Sequence, residues 1–142
     1  RRTIVSAWNP SEIEEMAVSG LPPCHMMFQF QVDGNKLNLA MYQRSVDSFL
    51  GLPFNIASYA LLNHIVANIT GKTAGNLTLF LGDTHIYLNH MEQINEQLSR
   101  DPLSPPNLAI DKQNDSIDNI DPTSIKIENY NSHPSIKAPI AV

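Results

Sequence analysis

Cysteine occurs once in this chain, at Cys24 within "LPPCH" (21–25), so no disulfide can form inside it. The fold must be held by its core instead, and 142 residues with 42% hydrophobic content suffice for one. Basic residues are also scarce: Lys and Arg number 9 against 14 Asp and Glu, for a formal net charge of -5. That balance argues against a general nucleic-acid or membrane-surface binder, which needs a basic face, and gives RNA binding no support. Small clusters of arginine can still hold an anion. No apolar run approaches the ~20 residues needed to span a bilayer. The single cysteine and the lack of a signal-like apolar stretch point to a reducing, cytoplasmic setting. The chain opens on "RRTIVSAW" as though in mid-element, and is expected to be a piece of a longer protein.

What is present reads as one α+β domain. "RTIVSAW" (2–8) has the β-branched content of a strand, and "NPSEIEEMA" (9–17) a helix start with Asn9 as cap and Pro10 in the first turn. From His25 the chain alternates, with Met26, Phe28, Phe30 and Val32 on one face and His25, Met27, Gln29 and Gln31 on the other. "DGN" (33–35) predicts a hairpin, and the return strand places Leu37, Leu39, Met41 and Gln43 opposite Asn38, Ala40, Tyr42 and Arg44. "SVDSFLGLP" (45–53) reads as a loop. "FNIASYALLNHIVANIT" (54–70) is apolar nearly all round and predicts a buried central helix closed by Gly71. A strand over 76–88 is expected to break at Gly82-Asp83, followed by an amphipathic helix over 89–100. Two short strands, "NLAID" and "SIKIENY", precede a tail without periodicity (131–142).

Cys24 is open to three readings: a buried thiol, a metal ligand or a nucleophile. Most free cysteines are small buried hydrophobes, yet the two prolines before this one fix its backbone. A nucleophile needs a positive neighbour, and Arg44 can supply one if the hairpin register allows. His25 is a poor base for the thiol, since adjacent strand residues face opposite ways. Arg1 and Arg2 are either a solvated pair or an anion clamp. Asp83, His85 and Tyr87, at i, i+2 and i+4, form a polar row that suits a polyhydroxyl ligand as well as a plain exposed face. A metal reading is weak, because the row holds one His and no second ligand pair is spaced to join it. "GKT" (71–73) lacks the upstream glycine of a phosphate loop, Val66 standing in its place.

Five blocks in order, "RRTIVSAWNP", "LPPCH", "YQRSVDSFLGLPFNIASYALL", "LGDTHIYLNH" and "HPSIKAPIAV", resemble the C-terminal half of the thymidylate synthase family along the whole chain. The resemblance implies a mixed twisted sheet with helices on one face, its other face forming a sheet-on-sheet homodimer interface. It also implies reductive methylation of dUMP to dTMP with 5,10-methylenetetrahydrofolate as co-substrate and no metal. Cys24 is then the nucleophile that adds to C6 of the uracil, making C5 able to attack the folate's one-carbon unit. Gln43, Arg44, Ser45 and Asp47 would hold the nucleotide, with Arg44 and Ser45 at the phosphate. Arg1 and Arg2 would reach the partner subunit's phosphate. Asn55 would read the uracil edge, since relatives acting on dCMP carry Asp there. His85 and Tyr87 would hold the deoxyribose hydroxyl. Leu21, Asp47, Gly51, Ala141 and Val142 match folate-side positions, the last two in a tail that closes over the ligands. Two departures accompany the match. A few extra residues precede Leu21, and the half of the family's sequence with a further phosphate arginine and the catalytic glutamate is absent. Two rival readings remain, a dUMP hydroxymethylase of the same superfamily and a non-catalytic nucleotide-binding or dimerisation fragment.

Overall fold

The computed structural model describes residues 2–141; Arg1 and Val142, both expected at the site, lie outside the described residues. Four strands form one sheet in the order β1-β2-β3-β4, with β1 at Ile4–Ser6, β2 at His25–Asp33, β3 at Lys36–Asp47 and β4 at Thr73–His85. The first three are antiparallel neighbours, while β4 runs parallel to β3 after a crossover through α2 (Gly51–Ile69), so the sheet is mixed. A second, two-stranded sheet pairs β5 (Asn107–Ile110) with β6 (Ile125–Glu128). A short helix α1 (Ile13–Ser19) follows β1, and α3 (Met91–Leu98) follows β4.

The hairpin turns where expected, Gly34 taking a φ of +58° that other residues resist. Alternation along β3 buries Leu37, Leu39, Met41 and Gln43, and α2 lies over that face. Leu39, Met41 and Tyr59 of α2 form the core, with Phe28, Phe30, Leu62, Leu77 and Leu79 packed around them. Burial raises the Tyr59 phenol above its ordinary value, so it stays uncharged over the core. Met41 is fully buried, and Met41→Ala is expected to cost about 2–5 kcal/mol through lost burial and a residual cavity. Urea unfolding of the full-length protein checks this, a loss under about 1 kcal/mol contradicting the assignment of Met41 to the core.

Three local expectations need correction. β2 does not alternate strictly: His25 pairs with Gln43 and Met27 with Tyr42, leaving Met26 as an extra residue in a β-bulge. The bulge turns His25 onto the core face, where its ring meets Tyr59 edge-on at 5.6 Å. Gly82 does not interrupt β4. A Cβ there would lie 2.7 Å from the Arg44 carbonyl oxygen, so the glycine lets β4 run flush against β3. Finally, β3 continues to Asp47 and α2 starts at Gly51, which leaves a three-residue connection in place of a long loop. Pro53 falls in the first helical turn, where its missing N–H costs nothing.

Helix α2 is buried on one side only, through Tyr59, Asn63 and Ala67, and Phe54 stays 74% exposed. The face of the sheet turned away from α2 carries Ile4, Met27, Tyr42 and Phe80, all exposed. No helix among the described residues is long and apolar enough to cross a membrane.

Candidate active site

The register of β2 on β3 settles where Arg44 lies. Its backbone N–H donates to the Cys24 carbonyl at 2.8 Å, so the two residues face each other across the start of the hairpin. The guanidinium then reaches back along the cysteine's approach. Nε donates to the Pro23 carbonyl and Nη2 to the Pro22 carbonyl, both at 3.1 Å. Two prolines offer acceptors without competing N–H groups, which is why this segment can be held by one arginine. Trp8 covers the other side of the cation, 5.1 Å from ring centre to Cζ. Cys24 is half-buried beside this clamp.

Gln43 is the next residue down the strand, almost wholly buried. Its Nε2 donates to the Ser45 carbonyl at 2.9 Å and to Asn55 Oδ1 at 3.1 Å, using both of its hydrogens. The Asn55 oxygen is thereby fixed toward the sheet, which leaves the Asn55 NH₂ as the outward end of that amide. Gly51 stands one turn earlier on α2, where an added Cβ would lie 3.4 Å from Asp47 Cβ and 3.9 Å from Asn55 Oδ1. Asp47 Oδ1 accepts from the N–H groups of Phe49 and Leu50, at 3.0 and 3.2 Å, and so shapes the turn into α2. Its second carboxylate oxygen takes no hydrogen bond among the described residues.

Parallel pairing brings the β4 row alongside. Ser45 pairs with Asp83 and Asp47 with His85, while the Ser48 N–H donates to the His85 carbonyl at 3.0 Å. His85 Nδ1 lies 3.7 Å from Asp83, and its ring meets Tyr87 at 5.0 Å. The tail, read as unpatterned, forms no regular element among the described residues and is held on its carbonyls. Arg100 donates to Pro134, Gln93 to Lys137 and His90 to Pro139.

Cys24, Gln43, Arg44, Ser45, Asp47, Gly51, Asn55, His85 and Tyr87 thus form one connected group, and Ala141 lies two residues beyond Pro139, whose carbonyl His90 holds. Leu21 lies just before the clamped prolines and is exposed. Arg2 does not join them: it precedes β1, about six residues along the sheet from Arg44, roughly 20 Å at strand spacing. Two contributors gave no signal in the sequence, Trp8 as the cover of Arg44 and His90 as the link to the tail. Among the described residues no group of three or more His, Cys, Asp or Glu is placed to hold a metal ion.

The arrangement defines an α+β protein with a single thiol at the head of a polar row, drawn from two parallel strands and the helix that joins them. The sequence model of the thymidylate synthase family matches residues 1–142, and the chain belongs to that family. It is 56% identical over its full length to the thymidylate synthase of Mycoplasma mobile, covering 48% of that protein. To the thymidylate synthase of Staphylococcus haemolyticus it is 55% identical, again over its full length, covering 43%. The chain therefore spans about half the length of the curated relatives it matches.

Proposed function

We propose that the protein to which this chain belongs methylates dUMP to dTMP, with 5,10-methylenetetrahydrofolate giving both the one-carbon unit and the hydride. The observation that carries this reading is the unbroken line from Cys24 through Arg44 and Gln43 to Asn55. A thiol, a cation and an oriented amide in that order fit a nucleotide whose base must be attacked at one carbon and read at its opposite edge. Thiolate addition to C6 puts electron density on C5, which then bonds to the folate's methylene carbon. Loss of the C5 proton to solvent breaks the bond between the methylene carbon and the folate nitrogen, hydride from the tetrahydrofolate so released completes the methyl group as the thiolate leaves C6, and dihydrofolate departs.

The chain's own residues supply position and charge. Arg44 spends two N–H groups on the Pro22 and Pro23 carbonyls and keeps the rest of its fork for a phosphate beside Cys24. Ser45 adds a hydroxyl there. Asn55 gives its outward NH₂ to uracil O4, and its oxygen retains a lone pair for N3–H. His85 and Tyr87 take the sugar hydroxyl, Asp47 through its free oxygen and Gly51 the folate side, with Leu21, Ala141 and Val142 closing that side. Residues 1–142 make up part of a single catalytic domain, read as its C-terminal portion from the order of the sequence blocks. The exposed stripe of Ile4, Met27, Tyr42 and Phe80 suits a second copy of the protein packed sheet on sheet. Arg1 and Arg2 then serve the partner's phosphate, which agrees with the distance of Arg2 from this chain's own row. The cytoplasm fits an enzyme whose one thiol here must stay reduced.

Product analysis with the full-length protein tests the proposal. Equal amounts of dTMP and dihydrofolate are expected from dUMP and methylenetetrahydrofolate. Formation of 5-hydroxymethyl-dUMP with tetrahydrofolate would establish the hydroxymethylase instead. Binding of dUMP without turnover by the complete protein would leave only a nucleotide-binding role.

A further inference from the structure

His90 has no part in the chemistry proposed above, yet it is fully buried and sits where three parts of the site meet. Its Nε2 lies 2.7 Å from the Pro139 carbonyl oxygen. A carbonyl can only accept, so this nitrogen carries the hydrogen and donates it. Nδ1 is buried with no hydrogen-bond partner, so the contact with Pro139 is the ring's one hydrogen bond among the described residues. On either side are aromatic rings. Tyr87, of the sugar row, lies 5.6 Å away at a steep angle, and Phe49, whose N–H is held by Asp47, lies 5.5 Å away. The ring is thus wedged between the sugar side and the folate side, with its one donor spent on the tail.

Proline at 139 suits this latch. It has no N–H of its own to satisfy, and its fixed φ stiffens the chain where the bond is made. Immediately beyond it, Ile140 is 87% exposed. We infer that His90 is a positioning residue that latches the tail at Pro139, so that ligand-driven closure is confined to the residues after it. Polar groups are rarely left buried and half-satisfied without cause. Here the unpartnered Nδ1 is the cost of presenting Nε2 to one carbonyl from a ring already fixed by its neighbours. Through Tyr87 and Phe49 the same ring transmits any shift of the sugar row or the Asp47 turn to the base of the tail. The inference rests on the proposed function for its catalytic consequence, but not for the latch itself.

The test uses the full-length protein with His90→Phe, which keeps a buried ring and removes the donor, and His90→Gln, whose Nε2 can stand where the histidine's does. Without ligands, hydrogen exchange at the amides of Lys137 and Ala138, beside the two anchored carbonyls, is expected to rise about tenfold in the Phe variant, the equivalent of one ordinary hydrogen bond. It should return toward the original rate in the Gln variant. In turnover, KM for methylenetetrahydrofolate should rise by about tenfold in the Phe variant, with KM for dUMP within twofold, and Gln should restore most of the loss. If the Phe variant does not fold, His90→Asn, whose shorter amide falls short of Pro139, is expected to loosen the same two amides. Unchanged exchange in the folded donor-less variant overturns the latch, whatever the activity. An equal rise in both KM values, not restored by Gln, overturns it as well and makes His90 a packing residue. Raised exchange in a protein that makes no dTMP would instead support the latch while the proposed function fails.

Discussion

Replacing Cys24 by serine in the full-length protein is expected to lower turnover of dUMP by about 10⁴-fold or more, the scale seen when a covalent nucleophile is lost. A hydroxyl is a poor nucleophile at neutral pH, and among the described residues no base is seen placed beside Cys24 to activate one. His25, its sequence neighbour, is turned by the Met26 bulge to pack on Tyr59. On the proposed reading, the charged group that attends the attacking sulfur is the Arg44 cation, whose guanidinium holds the two preceding carbonyls. The check is direct. With 5-fluoro-dUMP and methylenetetrahydrofolate, fluorine at C5 cannot leave as a proton does, so the reaction stalls as a covalent complex. Intact mass and peptide mapping should find the adduct on Cys24, dependent on both ligands, and none in Cys24→Ser. An adduct elsewhere, or a serine variant within tenfold of the original turnover, would remove Cys24 from the role.

Asn55→Asp is expected to reverse the choice of base. Uracil offers an acceptor at O4 and a donor at N3, which the Asn55 amide complements with NH₂ and oxygen. An ionised carboxylate brings only acceptors and meets O4 with like polarity. Protonated, it can donate to N3 of cytosine and accept from the exocyclic amine. A site built for one hydrogen-bond pattern rejects the other by about 10⁴-fold, so kcat/KM for dUMP should fall on that order while dCMP becomes the preferred nucleotide. Gln43 does not oppose the change, since its Nε2 can donate to a carboxylate oxygen as it does to Asn55 Oδ1. Competition between equal concentrations of dUMP and dCMP, followed by product mass, reads the preference. A variant that still favours dUMP would show that another group reads the base.

The hairpin was legible because two independent signals agreed, the alternation on both arms and the "DGN" turn between them. The bulge at Met26 was not, because an extra residue in a strand leaves apolar and polar residues in the same order along the chain. Only pairing with Tyr42 and Gln43 reveals that His25 has changed faces. Gly82 was misread for a related reason. A glycine in a strand marks either a break or a close approach, and the Arg44 carbonyl that requires the latter lies on another strand. Pro53 suggested a boundary, whereas the first helical turn accepts it. The polar row at 83–87 could be proposed from period alone. Its partners Ser45 and Asp47 could not, because parallel register is set by the α2 crossover. The roles of individual side chains came from the family resemblance, and Trp8 and His90 escaped because each acts through a contact distant in sequence.

The clamp on the two prolines has a consequence for how the site responds to its ligand. One guanidinium is shared between the backbone that presents Cys24 and, on the proposed reading, the phosphate of the nucleotide. Its planar fork is rigid, so a group gripping the outer edge also fixes the angle at which the inner edge meets residues 22 and 23. The two events are then thermodynamically linked: phosphate narrows the range of positions open to the thiol, and an ordered thiol loop raises the affinity for phosphate by the same factor. A base lacking its phosphate would meet a less well-aimed sulfur, and selectivity for the nucleotide over the nucleoside would appear in the rate of bond formation as well as in binding.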